Sequence, residues 1–198
     1  MAGEGGTKVF LGGEGKNEIG AQHPGATEPG VLEALLGRVR AEGWHVAAIL
    51  PWRRIRKYKA GDHRTAEQRN VLGLALHAFE ARCEVLAFSR DAGDVHDADA
   101  SYAEAIVLAR TVFPTLAVIG GLAKPTIEGW VLALKGYGKT DELSKAKAAA
   151  IVDELEILKS TAAYVEVVTC GSLDDARACA PSLDAWLAAA ELALYRTP

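Results

Sequence analysis

Val85-Leu86-Ala87-Phe88-Ser89-Arg90-Asp91-Ala92-Gly93-Asp94 is an apolar run that ends in carboxylates. Two other stretches have the same form. Val9-Phe10-Leu11 leads through Gly12-Gly13 to Glu14 and Glu18, and Leu116-Ala117-Val118-Ile119-Gly120-Gly121 leads to Ile127-Glu128-Gly129-Trp130. Short apolar runs of this length read as buried strands of a parallel sheet. Open parallel sheets bind ligands at the carboxyl ends of their strands. The acids would therefore point into one crevice. Clustered carboxylates repel one another, and a hard divalent cation is the usual way to hold them together.

Between these runs the pattern alternates. A strand is expected over residues 8–11, followed by a Gly-rich turn. Residues 20–30, rich in Gly and Pro, read as a loop. A helix over 31–41 buries Val31, Leu32, Leu35, Leu36 and Val39. A strand over 44–50 stops at Pro51. Thr65, with Gln68 three residues on, signals a capping box that opens a helix to about residue 82. Further elements are a strand over 84–89, a helix over 101–113, a strand over 115–120 and a helix over 127–134. Residues 141–195 are mostly helical, although Tyr164-Val165-Glu166-Val167-Val168 also alternates like a strand. The order predicts an α/β fold: a mainly parallel central sheet with helices on both faces and a helical C-terminal region. The α/β core is expected over 1–140, with 141–198 as a helical extension packed on the same domain.

The chain's 198 residues suit one well-buried domain. The net charge of -4 announces no polyanion partner, so local charge matters more. Six of the 22 basic residues, Arg53, Arg54, Arg56, Lys57, Lys59 and Arg64, fall within twelve positions. Trp52 and Tyr58 interleave with them, and aromatics among cations suit phosphate contact with base stacking. Arg53, Arg54, Arg56, Lys57 and Lys59 are thus the candidate nucleic-acid-binding residues, for DNA or RNA. Cys83, Cys170 and Cys179 are odd in number and widely spaced, which argues against a disulfide framework or a zinc site. A basic, apolar leader is lacking, and no apolar run reaches bilayer-spanning length. A cytoplasmic protein without a membrane partner is expected. Gly12-Gly13-Glu14-Gly15-Lys16 lacks P-loop spacing, because Asn17 follows Lys16.

Taken together, strand-Glu-Gly-x-x-Glu at residues 14–18, strand-Arg-Asp at 90–91 and Ile-Glu-Gly-Trp at 127–130 resemble the Toprim fold. More narrowly, residues 7–135 are similar to small stand-alone Toprim-like proteins of bacterial type, related to the OLD-family nucleases. The resemblance implies Glu14 and Asp91 as catalytic acids. It implies Glu14, Asp91, Asp94 and Glu128 as ligands of Mg²⁺ or Mn²⁺, with Glu14 as general base or acid. One departure stands out: the second aspartate of an Asp-x-Asp motif would fall at Gly93, with Asp94, Asp97 and Asp99 nearby. The implied activity is nuclease-like, metal-dependent phosphodiester chemistry on nucleic acid. The alternatives are a non-catalytic Toprim-like module that binds a nucleotide or a partner protein, such as a separate ATPase, and an unrelated doubly wound domain that binds a small phosphorylated ligand.

Overall fold

The computed structural model describes residues 6–23, 26–59, 64–92, 98–157 and 159–196. In chain order the elements are β1 (Thr7–Gly13), α1 (Lys16–Ile19), β2 (Ala21–His23), β3 (Ala26–Glu28), α2 (Val31–Val39), β4 (Trp44–Pro51), a 3-10 turn (Trp52–Arg54), α3 (Ala66–Glu80), β5 (Val85–Asp91) and α4 (Ala98–Val112). Then follow β6 (Ala117–Ala123), α5 (Ile127–Leu134), a 3-10 turn (Thr140–Glu142), α6 (Lys145–Glu154), α7 (Thr161–Cys170), α8 (Leu173–Cys179) and α9 (Pro181–Arg196).

Four strands form a wholly parallel sheet in the order β4-β1-β5-β6. Strand alternation sends successive side chains to opposite faces, and the core divides accordingly. Val9, Leu11, Val85, Ala87 and Ile119 pack with α2, α5 and the C-terminal helices. Phe10, Leu86, Phe88 and Val118 pack with α3 and α4. The expected α/β architecture, with helices on both faces and a helical C-terminal region, is what the structure has. Residues from Ala148 to Leu194 share one buried cluster with β1 and β5. Trp186 of α9 ties that layer to the sheet. Its ring lies 5.9 Å from that of Trp130, and its Nε1–H donates to the Phe88 carbonyl at 2.9 Å.

Two local expectations need correction, and one open choice is settled. Residues 20–30 do not form only a loop. Ala21–His23 and Ala26–Glu28 pair as an antiparallel hairpin, because the short segments can satisfy each other's backbone despite flanking Gly and Pro. The last central strand starts and ends later than its apolar run suggested. Gly120 and Gly121 stay in the strand because the Phe88 ring occupies the space of a side chain at residue 120; a Cβ there would come within 2.2 Å of it. The ambiguous stretch around Tyr164 is helical, with Tyr164, Val167 and Val168 buried on one side of α7.

The capping box is present. Thr65 Oγ1 accepts from the Gln68 N–H at 3.2 Å, and Gln68 Oε1 accepts from the Thr65 N–H at 3.1 Å. Thr65→Ala is expected to cost about 1 kcal/mol of stability, as lost caps typically do. An unchanged urea midpoint would contradict that role. Among the described residues, no helix is long and apolar enough to cross a membrane.

Candidate functional site

The sheet order reverses direction between β1 and β5. The chain leaves β1 for β4 on one side, then returns to β5 on the other. Such a switch point opens a crevice at the carboxyl ends of the strands. Here β1 and β5 pair only as far as Gly12 and Phe88, while β5 and β6 continue to Asp91 and Ala123. Glu14 and the short helix α1 follow directly from β1. Gly13 lets α1 fold back on the strand end, since a Cβ at residue 13 would come within 2.9 Å of Glu18 and Ile19 side-chain carbons.

Residues 90 and 91 leave β5 on opposite faces, and this splits the crevice. On the α5 side, Asp91 Oδ1 accepts from the Ile127 N–H at 3.1 Å. It satisfies a first-turn donor of α5 that the Thr126 side chain leaves uncapped. Glu128, in the same first turn, accepts from the Tyr164 hydroxyl at 3.2 Å. Glu18 is 5% exposed, and its Oε2 accepts from the Gly15 N–H at 2.8 Å. Thr161 Oγ1 donates to Asn17 Oδ1 at 3.0 Å, fastening α1 to α7.

These three acids feel one another. Burial pushes the Glu18 carboxyl up to about 7, and the charges of Asp91 and Glu128 push the same way, against the pull of backbone N–H groups. Asp91 is also raised, by burial first and then by Glu128, while Ile127 N–H, Lys145 and Arg90 oppose. The Tyr164 hydroxyl is raised by burial and by Glu128 beside it.

On the α3–α4 side stands a different set. Arg90 forms an ion pair with Glu14. Its guanidinium lies over the Trp52 ring, 5.4 Å from the centroid, and its charge acts on the buried Tyr102 hydroxyl. Trp52 packs on Phe88 and Tyr102 with centroids 6.1 and 6.2 Å away.

No protein-family model, curated protein or solved structure matches the chain. The site is therefore argued from its own geometry. Of the residues singled out in the sequence, Asp91 and Glu128 come within electrostatic range of each other and of Glu18. Glu14 is set against Arg90 instead. Asp94 lies outside the described residues, as do Gly93 and Asp97. Among the described residues, no three His, Cys, Asp or Glu side chains stand close enough together to hold a metal ion.

In the basic segment, Arg53, Arg54, Arg56, Lys57 and Lys59 are exposed. Arg56 pairs with Glu80 at 3.1 Å. Its aromatics are otherwise engaged: Trp52 as above, and Tyr58 edge-on against Phe113 with Arg64 over its ring. Neither presents a bare stacking face. The sequence pointed to Glu18 as a strand-end acid without making it a ligand, and assigned Arg90 no role of its own. The strand alternation that sends 90 and 91 apart was the available signal.

Proposed function

We propose that the crevice between β1 and β5 carries out Mg²⁺- or Mn²⁺-dependent phosphodiester chemistry on nucleic acid, on a Toprim-like scaffold. The observation that carries this reading is that Glu18, Asp91 and Glu128, from three separate elements, lie within electrostatic range at the switch point of a parallel sheet. Bringing acids this near in a largely buried place is costly unless a proton or a cation offsets the charge. Mg²⁺ commonly takes one or two carboxylates, with waters and substrate phosphates completing its shell. Asp91 and Glu128 suit that need, since both are hard oxygen donors fixed by hydrogen bonds. Such an ion would stabilise charge on a phosphoryl group and lower the pKa of an attacking water. Glu14, across the strand end, is our general base or acid. Arg53 and Arg54, exposed just past the end of β4, would hold flanking phosphates.

Mn²⁺ titration by calorimetry and cleavage of labelled DNA and RNA oligonucleotides test the reading. Asp91→Asn and Glu128→Gln should each weaken Mn²⁺ by about tenfold or more, equivalent to ~1.4 kcal/mol, and abolish cleavage. Cleavage that persists in EDTA, or wild-type protein that neither binds Mn²⁺ nor cuts, would overturn it. The spacing of the acids favours a second reading, a metal-free module that binds a nucleotide or a partner protein. Nucleotide binding with no metal requirement would mark that outcome.

A further inference from the structure

The α3–α4 side of the crevice carries its own chemistry. Arg90 sits at the carboxyl end of β5, one residue before Asp91. Three neighbours hold its guanidinium in place. The Trp52 ring lies beneath it, the Tyr102 hydroxyl is within reach of its charge, and Glu14 pairs with it. Trp52 and Tyr102 are themselves packed on the core around Phe88. The planar fork is thus braced from below and open above: the Arg90 and Glu14 side chains remain 32% and 33% exposed.

An arginine stacked on an aromatic ring and facing a ligand crevice is pre-organised for bidentate contact with a phosphate. Its present partner is a carboxylate on a turn that no longer pairs with β5, since that pairing ends at Gly12. A pair this exposed contributes little to stability and exchanges readily. A phosphate carries more charge than a carboxylate and offers more acceptor oxygens. Arg53 and Arg54, both exposed, follow Trp52 directly and add positive charge to this stretch of the chain.

We infer that Arg90 anchors a phosphoryl group of the ligand, and that Glu14 fills that place in the ligand-free protein. Phosphoryl binding displaces Glu14 and frees its carboxylate for the crevice. This deepens the phosphoryl-transfer reading of the same site by naming the residue that seats the phosphate. No bond is made or broken in the exchange.

The sign of one mutation decides the matter. Inorganic phosphate and pyrophosphate are titrated by calorimetry in EDTA, so that the outcome is independent of any metal. Glu14→Gln removes the internal competitor and should tighten binding about five- to tenfold. Arg90→Gln should weaken it at least tenfold. Arg90→Lys should weaken it too, because an ammonium lacks the fork. The double variant should behave like Arg90→Gln. Thermal melts confirm that the partly exposed substitutions leave the fold intact. Unchanged or weaker phosphate binding in Glu14→Gln overturns the inference, as does Arg90→Gln that binds like wild type or the lack of binding by both wild type and Glu14→Gln. A failed metal titration would leave this result standing, and phosphate binding without Mn²⁺ binding would separate the two proposals.

Discussion

Trp186→Ala is expected to lower the thermal midpoint by roughly 6–20 °C. A buried Trp cut to Ala typically costs about 3–5 kcal/mol, and each kcal/mol moves the midpoint of a domain this size by about 2–4 °C. Trp186 is 1% exposed, and it is the point where α9 meets the sheet. Its ring faces Trp130, and its indole N–H holds the Phe88 carbonyl inside the core. Trp186→Phe keeps an aromatic ring but deletes the donor and part of the indole, so it should lose about 1–3 kcal/mol from the Phe88 carbonyl left without this partner, plus a cavity cost smaller than that of alanine. If Trp186→Ala melted within about 3 °C of wild type, α9 would not be part of the structural core.

Glu18→Gln is expected to act in the opposite direction at neutral and alkaline pH. Unfolded, the Glu18 carboxyl ionises at its ordinary value of 4.5, whereas in the fold it is pushed up to about 7. Between those values the folded protein holds a proton that the unfolded chain has lost. Stability contributed by this group is therefore complete below about 4.5 and is lost as pH rises to about 7. At about 1.4 kcal/mol per pH unit, the loss comes to roughly 3 kcal/mol. Asp91, Asp141 and Glu33 are also raised by burial, so they add slope of the same sign. Glu18→Gln should keep the Gly15 contact, match wild type near pH 4 and exceed it at pH 8. The measurement is a series of melts in EDTA across that range. Parallel curves for the two proteins would show that Glu18 does not titrate as its surroundings dictate.

Much of the sheet was legible because its signal is local. The apolar runs at 8–11, 44–50 and 84–89 each lie inside an observed strand or within a residue of one, and the helix over 127–134 has the expected bounds. Thr65 and Gln68 announce a helix start through chemistry that needs only four residues. What failed depends on distant partners. Gly120 and Gly121 look like a strand's end until the Phe88 ring is known to lie over Gly120. Tyr164 to Val168 suits either structure until the surrounding helices choose a side. The site divides in the same way. Clustered strand-end acids were readable from sequence. That Glu18 would face Asp91, and Glu14 face Arg90, depends on how α1 turns back after Gly13.

The sheet order has a consequence for biosynthesis. β1 is made before both of its neighbours, yet it ends up inside the sheet, between β4 and β5. While the chain leaves the ribosome, Val9, Phe10 and Leu11 keep both edges bare until β4 has emerged, and the β5 edge bare until residue 91 has followed. At roughly 5–20 residues per second, that interval lasts several seconds. A nascent-chain chaperone would meet residues 7–13 for longer than any later strand.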